Sequence, residues 1–149
     1  MKLLMSGSLL FLSIAGHVQA SDEDKVRQAA LDYIESQHQS NEARMDRALH
    51  SKLAKRTYWL DGEGNDTLLE SDKSVMLSVA KTYNIAGDKF PKVPKKEIQI
   101  LDITNRVASV KLTADDWIDY MHLVKNEQGN WQIINVLWQY HDITKHQSK

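Results

Sequence analysis

The sequence predicts an α+β domain in which N-terminal helices cover an antiparallel sheet. Two observations predict it. From Glu97 to Tyr140 the chain reads as consecutive strands separated by turn signals, with side chains on both faces that favour burial. Ahead of that stretch, apolar residues recur at helical spacing in three short runs. The chain ahead of the sheet therefore reads chiefly as a helical cover for it.

The totals agree with one domain: 149 residues, 42% hydrophobic and 26% charged. Residues 1–20 read as a secretory signal peptide. Lys2 is a short basic start, Leu3 to Ala15 is an apolar run, and Val18-Gln19-Ala20 suits signal peptidase. The run is too short and wrongly flanked for a stable membrane anchor. Cleavage after Ala20 leaves a domain over 21–141 and a polar tail, 142–149, that reads as frayed. The chain has no cysteine, so it carries no disulfide and no acyl anchor. Export without disulfides points to a periplasmic or secreted protein. A formal charge of −1 gives no basic excess for nucleic acid. No membrane partner is expected once the signal is removed.

The first helix opens on Ser21-Asp22-Glu23-Asp24, a capping-box pattern with acids at the helix N-terminus. Val26, Ala29, Ala30, Tyr33 and Ile34 form its apolar stripe, and it ends near Gln39. Ser40 or Asn41 caps a short second helix with the face Met45, Ala48, Leu49 and Leu53. Thr57 to Leu60 reads as a strand, the segment from Asp61 to Asn65 as a turn, and Asp66 to Leu69 as the returning strand. Ser71 or Asp72 caps a third helix with the stripe Val75, Met76, Val79, Ala80 and Tyr83. Asn84 to Lys96 is an exposed loop with both prolines.

In the sheet, Asn105-Arg106 and Ala114-Asp115 read as two-residue turns. The segment from Asn126 to Asn130 reads as a hairpin loop with Gly129 in the left-handed position. Side chains alternate along a strand, so these turns assign faces. One face carries Val110, Leu112, Trp117, Asp119, Met121, Ile133, Asn135 and Leu137, and is the one the helices cover. The other carries Ser109, Lys111, Tyr120, His122, Val124, Ile134, Val136 and Trp138. Its extent of aromatic and apolar surface suits a subunit interface, so Tyr120, His122 and Trp138 are expected in a homodimer contact.

This order of elements resembles the nuclear transport factor 2-like superfamily, and more closely its lumazine-binding branch. The residues that carry the resemblance are Ala48-Leu49-His50, Leu53-Ala54-Lys55-Arg56, Val107-Ala108-Ser109-Val110, the run from Trp117 to Lys125, and the run from Gly129 to Trp138. The resemblance covers nearly all of the chain after residue 20. It implies a cone-shaped, curved sheet around a cavity closed on one side by the helices. Members of the superfamily include ketosteroid isomerases, polyketide cyclases, dehydratases and protein-binding modules, so the fold by itself assigns no activity.

Asp119 is the sharpest candidate for chemistry. A carboxylate on an apolar, aromatic face is hard to ionise, which moves it toward acid–base use at neutral pH. By analogy with ketosteroid isomerases it takes the catalytic position, with Asn135 as a hydrogen-bond donor. His122 lies on the opposite face of the same strand, which excludes an Asp119–His122 dyad. Tyr58 and Trp59 are expected near the cavity mouth, and Trp117, Met121 and Asn135 in its wall. His50, at a helix end, reads either as a cap of that helix or, with Lys55 and Arg56, as an anion contact. No metal spacing, phosphate-binding glycine loop or serine elbow occurs, and no cofactor is expected. Three functions stand: an exported domain binding a small apolar or aromatic molecule; an isomerase, dehydratase or cyclase using Asp119; and a dimeric interaction module without ligand.

Overall fold

The computed structural model describes residues 20–148. All of the segment read as a signal peptide except Ala20 lies outside the described residues. Helix α1 spans Asp22–His38 and α2 Glu42–Ala48; β1 is Leu49–Leu60 and β2 Asp66–Ser71; α3 is Lys73–Thr82. Strands β3 (Lys96–Thr104), β4 (Val107–Ala114), β5 (Trp117–Lys125) and β6 (Trp131–Tyr140) follow. They form one six-stranded sheet in the order β2-β1-β6-β5-β4-β3. Every neighbouring pair is antiparallel except β1 and β6, so the curved sheet is mixed.

Local signals set the helix ends. Ser21 accepts from the Asp24 amide while the Asp24 carboxylate takes the Ser21 amide, which closes the capping box. Asn41 and Asp72 cap α2 and α3 more simply, each accepting from one backbone amide, those of Arg44 and Val75. The core lies between the helices and one face of the sheet. Val26, Ala30, Tyr33 and Ile34 of α1, with Met45 and Met76, pack against Val110, Leu112, Met121, Leu123, Ile133 and Val136.

Four expectations change. First, α2 stops at Ala48 and β1 begins at Leu49, eight residues earlier than the pattern suggested. Pairing with β6 extends the strand across an irregular stretch between Leu49 and Ala54. There the His50 ring accepts from the Lys52 amide, and Gln132 and Lys73 donate to the Leu49 carbonyl. These side chains replace ladder bonds that the irregular backbone gives up. His50 is therefore a strand residue and caps no helix.

Second, the β4–β5 turn is Asp115-Asp116, because Ala114 is buried at the end of β4. The register moves by two residues, which keeps every side chain on its expected face. Third, β6 carries a bulge. Leu123 pairs with Ile133 and His122 with Asn135, so Ile134 is the extra residue. The bulge lets Ile133 and Val136 both enter the core, where each is fully buried. It also inverts every later side chain of the strand. Asp119 now faces Trp138 across the ladder, and Tyr120 faces Leu137.

Fourth, the tail docks. Ile143–Lys145 forms a 3-10 turn, and the Leu60 amide donates to the His146 carbonyl while the Ser148 amide donates to Leu60. The His146 ring is buried among Tyr58, Trp59, Trp138 and Tyr140.

Candidate functional site

The bulge at Ile134 and the early start of β1 together build the site. β1 alternates with Leu53, Lys55 and Thr57 on its buried side, so a lysine points into the interior. It meets Asp119 of β5, whose side chain is fully buried. The Lys55 Nζ donates to Asp119 Oδ1 at 2.9 Å and to the Tyr33 hydroxyl at 2.6 Å. The Trp117 Nε1–H donates to Asp119 Oδ2 at 2.7 Å. Lys55 also stands 4.9 Å from the Trp138 ring centroid and 5.3 Å from that of Tyr33, within cation–π range. Both carboxylate oxygens are thus engaged, and the charge is matched by a cation in contact. Buried charges persist where they are paired and hydrogen-bonded in this manner.

Burial, reinforced by the negative charge of Asp119, pushes the Tyr33 hydroxyl well above the ordinary phenol range. Tyr33 therefore keeps its proton and serves as a fixed dipole beside Lys55.

Lys55 is the link between this cluster and a cavity of about 200 Å³. Met76 and Val79 of α3, with Tyr83 at its C-terminal end, form one wall; Trp117, Trp138 and Tyr140 of the sheet form the other. Gln37, Lys55 and Ser71 supply its polar groups. Four roomier clefts occur elsewhere among the described residues: about 380 Å³ beside Lys25, Asp32 and Arg47, about 430 Å³ beside Glu35, Lys92 and Lys96, about 350 Å³ beside Asp22, Arg106 and Glu127, and about 290 Å³ beside Val107, His122 and Ile134. None of them gathers more than one Trp, Tyr or Phe side chain, whereas the cavity under α3 gathers Tyr83, Trp117, Trp138 and Tyr140 with a few convergent polar groups, the usual composition of a small-molecule site.

The residues singled out in the sequence are distributed as follows. Trp117 lines the cavity. Asp119 lies beneath Lys55 and is absent from the cavity wall. Met121 is a buried core residue. Asn135, expected in the wall, instead sits on the outer face, 3.2 Å from His122 Nδ1, because the bulge inverts the strand. For the same reason Trp138, expected on the outer face, lines the cavity. Tyr58 and Trp59 are outside the cavity wall and hold the tail: Tyr58 stacks on His146, and Trp59 Nε1 donates to Ser148 at 3.2 Å. Tyr120 and His122 do occupy the outer face, together with the exposed Leu137. Sequence reasoning missed Tyr140, Gln37 and above all Lys55 as cavity residues. The alternation Leu53-x-Lys55-x-Thr57 carried the signal, once β1 is extended backward.

The family model described as "Putative lumazine-binding" matches residues 21–139. The chain belongs to this family. No curated protein matches the sequence. Among solved structures, an NTF2-like protein of unknown function from Silicibacter pomeroyi is similar at a TM-score of 0.60 and 15% identity, over 76% of this chain and 90% of that one. An NTF2-like protein from Cytophaga hutchinsonii is similar at 0.53 and 14%, over 81% and 99%. A "putative ketosteroid isomerase" from Shewanella frigidimarina is similar at 0.52 and 15%, over 79% and 97%. At these identities the likeness shows the nuclear transport factor 2-like fold.

Proposed function

We propose that this member of the lumazine-binding family is an exported domain that binds a small apolar or aromatic molecule in the cavity under α3. The observation that carries the reading is the cavity itself: Trp117, Trp138 and Tyr140 facing α3, with Lys55 as a polar anchor. Aromatic walls supply flat, apolar area, and one or two polar groups fix orientation. Its volume of about 200 Å³ suits a ligand of about the size of a fused two-ring system. Nothing in the geometry favours Asp119 as an acid–base catalyst, since Lys55, Tyr33 and Trp117 occupy it and no face of it borders the cavity.

The proposal includes export to the periplasm or secretion, supported by the Lys2, Leu3–Ala15 and Val18-Gln19-Ala20 pattern. It also includes a homodimer formed through the outer sheet face, supported by exposed Val107, Tyr120 and Leu137.

Native mass spectrometry tests the binding, with Val79→Trp as a variant that fills the cavity. A small-molecule adduct on the wild type that is lost in Val79→Trp is the expected result. An adduct that survives in Val79→Trp overturns the assignment of the cavity.

A further inference from the structure

The proposed ligand site has one feature that its aromatic walls do not explain. A lysine ammonium carries three N–H donors. Lys55 commits one to Asp119 at 2.9 Å and one to Tyr33 at 2.6 Å. Among the described residues no acceptor takes the third, although the side chain is nine-tenths buried and borders the cavity beside Trp138. An oxygen acceptor entering the cavity can take this N–H in a charge-assisted hydrogen bond.

The charge balance narrows the acceptor. Asp119 already neutralises Lys55, and Tyr33 keeps its proton, so the cluster as a whole is neutral. An anionic ligand entering this aromatic cavity gives up its hydration without meeting a net positive charge. An uncharged carbonyl oxygen gains a charge-assisted hydrogen bond and gives up much less.

We infer that the cavity selects a small, flat, uncharged aromatic molecule bearing a carbonyl oxygen, and that Lys55 is the residue that reads that oxygen. This rests on the reading of the cavity as a ligand site. The rings lie against Trp117 and Trp138, and the carbonyl accepts the free N–H of Lys55. Specificity then comes from Lys55 and affinity from the walls. A site built to hydrogen-bond a ligand rejects an analogue that lacks the group, because its own buried polar group is left unpaired.

Three two-ring probes of similar size separate the possibilities: coumarin, with a carbonyl; naphthalene, with no acceptor; and 2-naphthoate, an anion. Isothermal titration calorimetry with the mature protein is expected to give coumarin about tenfold or more tighter than naphthalene, the value of one hydrogen bond to a charged donor. Coumarin is also expected to bind more tightly than 2-naphthoate. In a Lys55→Met/Asp119→Leu double variant, which removes both charges together, naphthalene binding persists and the preference for coumarin falls to within about twofold. Equal wild-type affinities for coumarin and naphthalene overturn the inference and leave the binding proposal standing. Tighter binding of 2-naphthoate overturns the requirement for an uncharged ligand. A coumarin preference that survives in the folded double variant overturns the role of Lys55. Failure of all three probes to bind contradicts the ligand site itself. The wild-type comparison decides even if the double variant does not fold.

Discussion

Lys55 and Asp119 illustrate how one side chain changes the meaning of another. A lone carboxylate among tryptophans suggests acid–base chemistry. The same carboxylate with a lysine 2.9 Å away and a tryptophan N–H at 2.7 Å is a structural anchor. Removing one partner leaves the other charge buried and uncompensated. Asp119→Leu alone is therefore expected to cost about 3–5 kcal/mol in urea denaturation, and Lys55→Met/Asp119→Leu clearly less than the two single changes combined. Glu35 gives a second test at this scale. Burial acts to raise its pKa, but hydrogen bonding to Lys96 and the charge of Arg44 outweigh it and hold the carboxyl below the ordinary glutamate range. A depressed folded value contributes stability at pH above the unfolded value, and that contribution disappears as pH falls through the folded one. Glu35→Gln should lower stability at neutral pH and flatten its decline on acidification, measured as urea midpoints across pH.

At the scale of elements, what was legible depended on how local the signal was. The Ser21–Asp24 capping box and the left-handed Gly129, at φ 79°, are short-range chemistry and stand in the sequence directly. The bulge at Ile134 is different: one extra residue has no compositional mark, yet it exchanges Asn135 for Val136 and Leu137 for Trp138 across the sheet. Asn135, the one β6 residue of the expected cavity wall, moved to the other face for that reason. The start of β1 was hidden because Ala48, Leu49 and Leu53 also fit a helical stripe, and only pairing with β6 settles them as strand. The tail misleads through its polarity. His146 Nε2 accepts the Tyr140 amide at 2.7 Å, and the ring packs against Trp138 and Tyr140. His146→Ala leaves that amide unpaired and should cost about 1–3 kcal/mol in thermal or urea unfolding. Loss of ordered tail amides in hydrogen exchange should accompany it; an unchanged stability would show that the docked tail adds nothing.

For the whole molecule, the bulge divides the sheet into two surfaces. The inner one, with Trp138 and Tyr140, belongs to the cavity and the core. The outer one, with Tyr120 paired to Leu137 and His122 to Asn135, is left for a second subunit in the proposed homodimer. Leu137→Glu should weaken that dimer about tenfold or more in sedimentation equilibrium while preserving the monomer fold. Trp138→Ala, once expected to act at the interface, should instead impair ligand binding and leave association unchanged. The central claim, however, concerns the cavity, and a crystal structure of the protein grown with coumarin tests it most directly. The account predicts density for the two rings between α3 and the Trp117–Trp138 wall, with the carbonyl oxygen within hydrogen-bond distance of Lys55 Nζ. Density confined to a surface cleft, or an empty cavity in crystals grown at saturating coumarin, would contradict it.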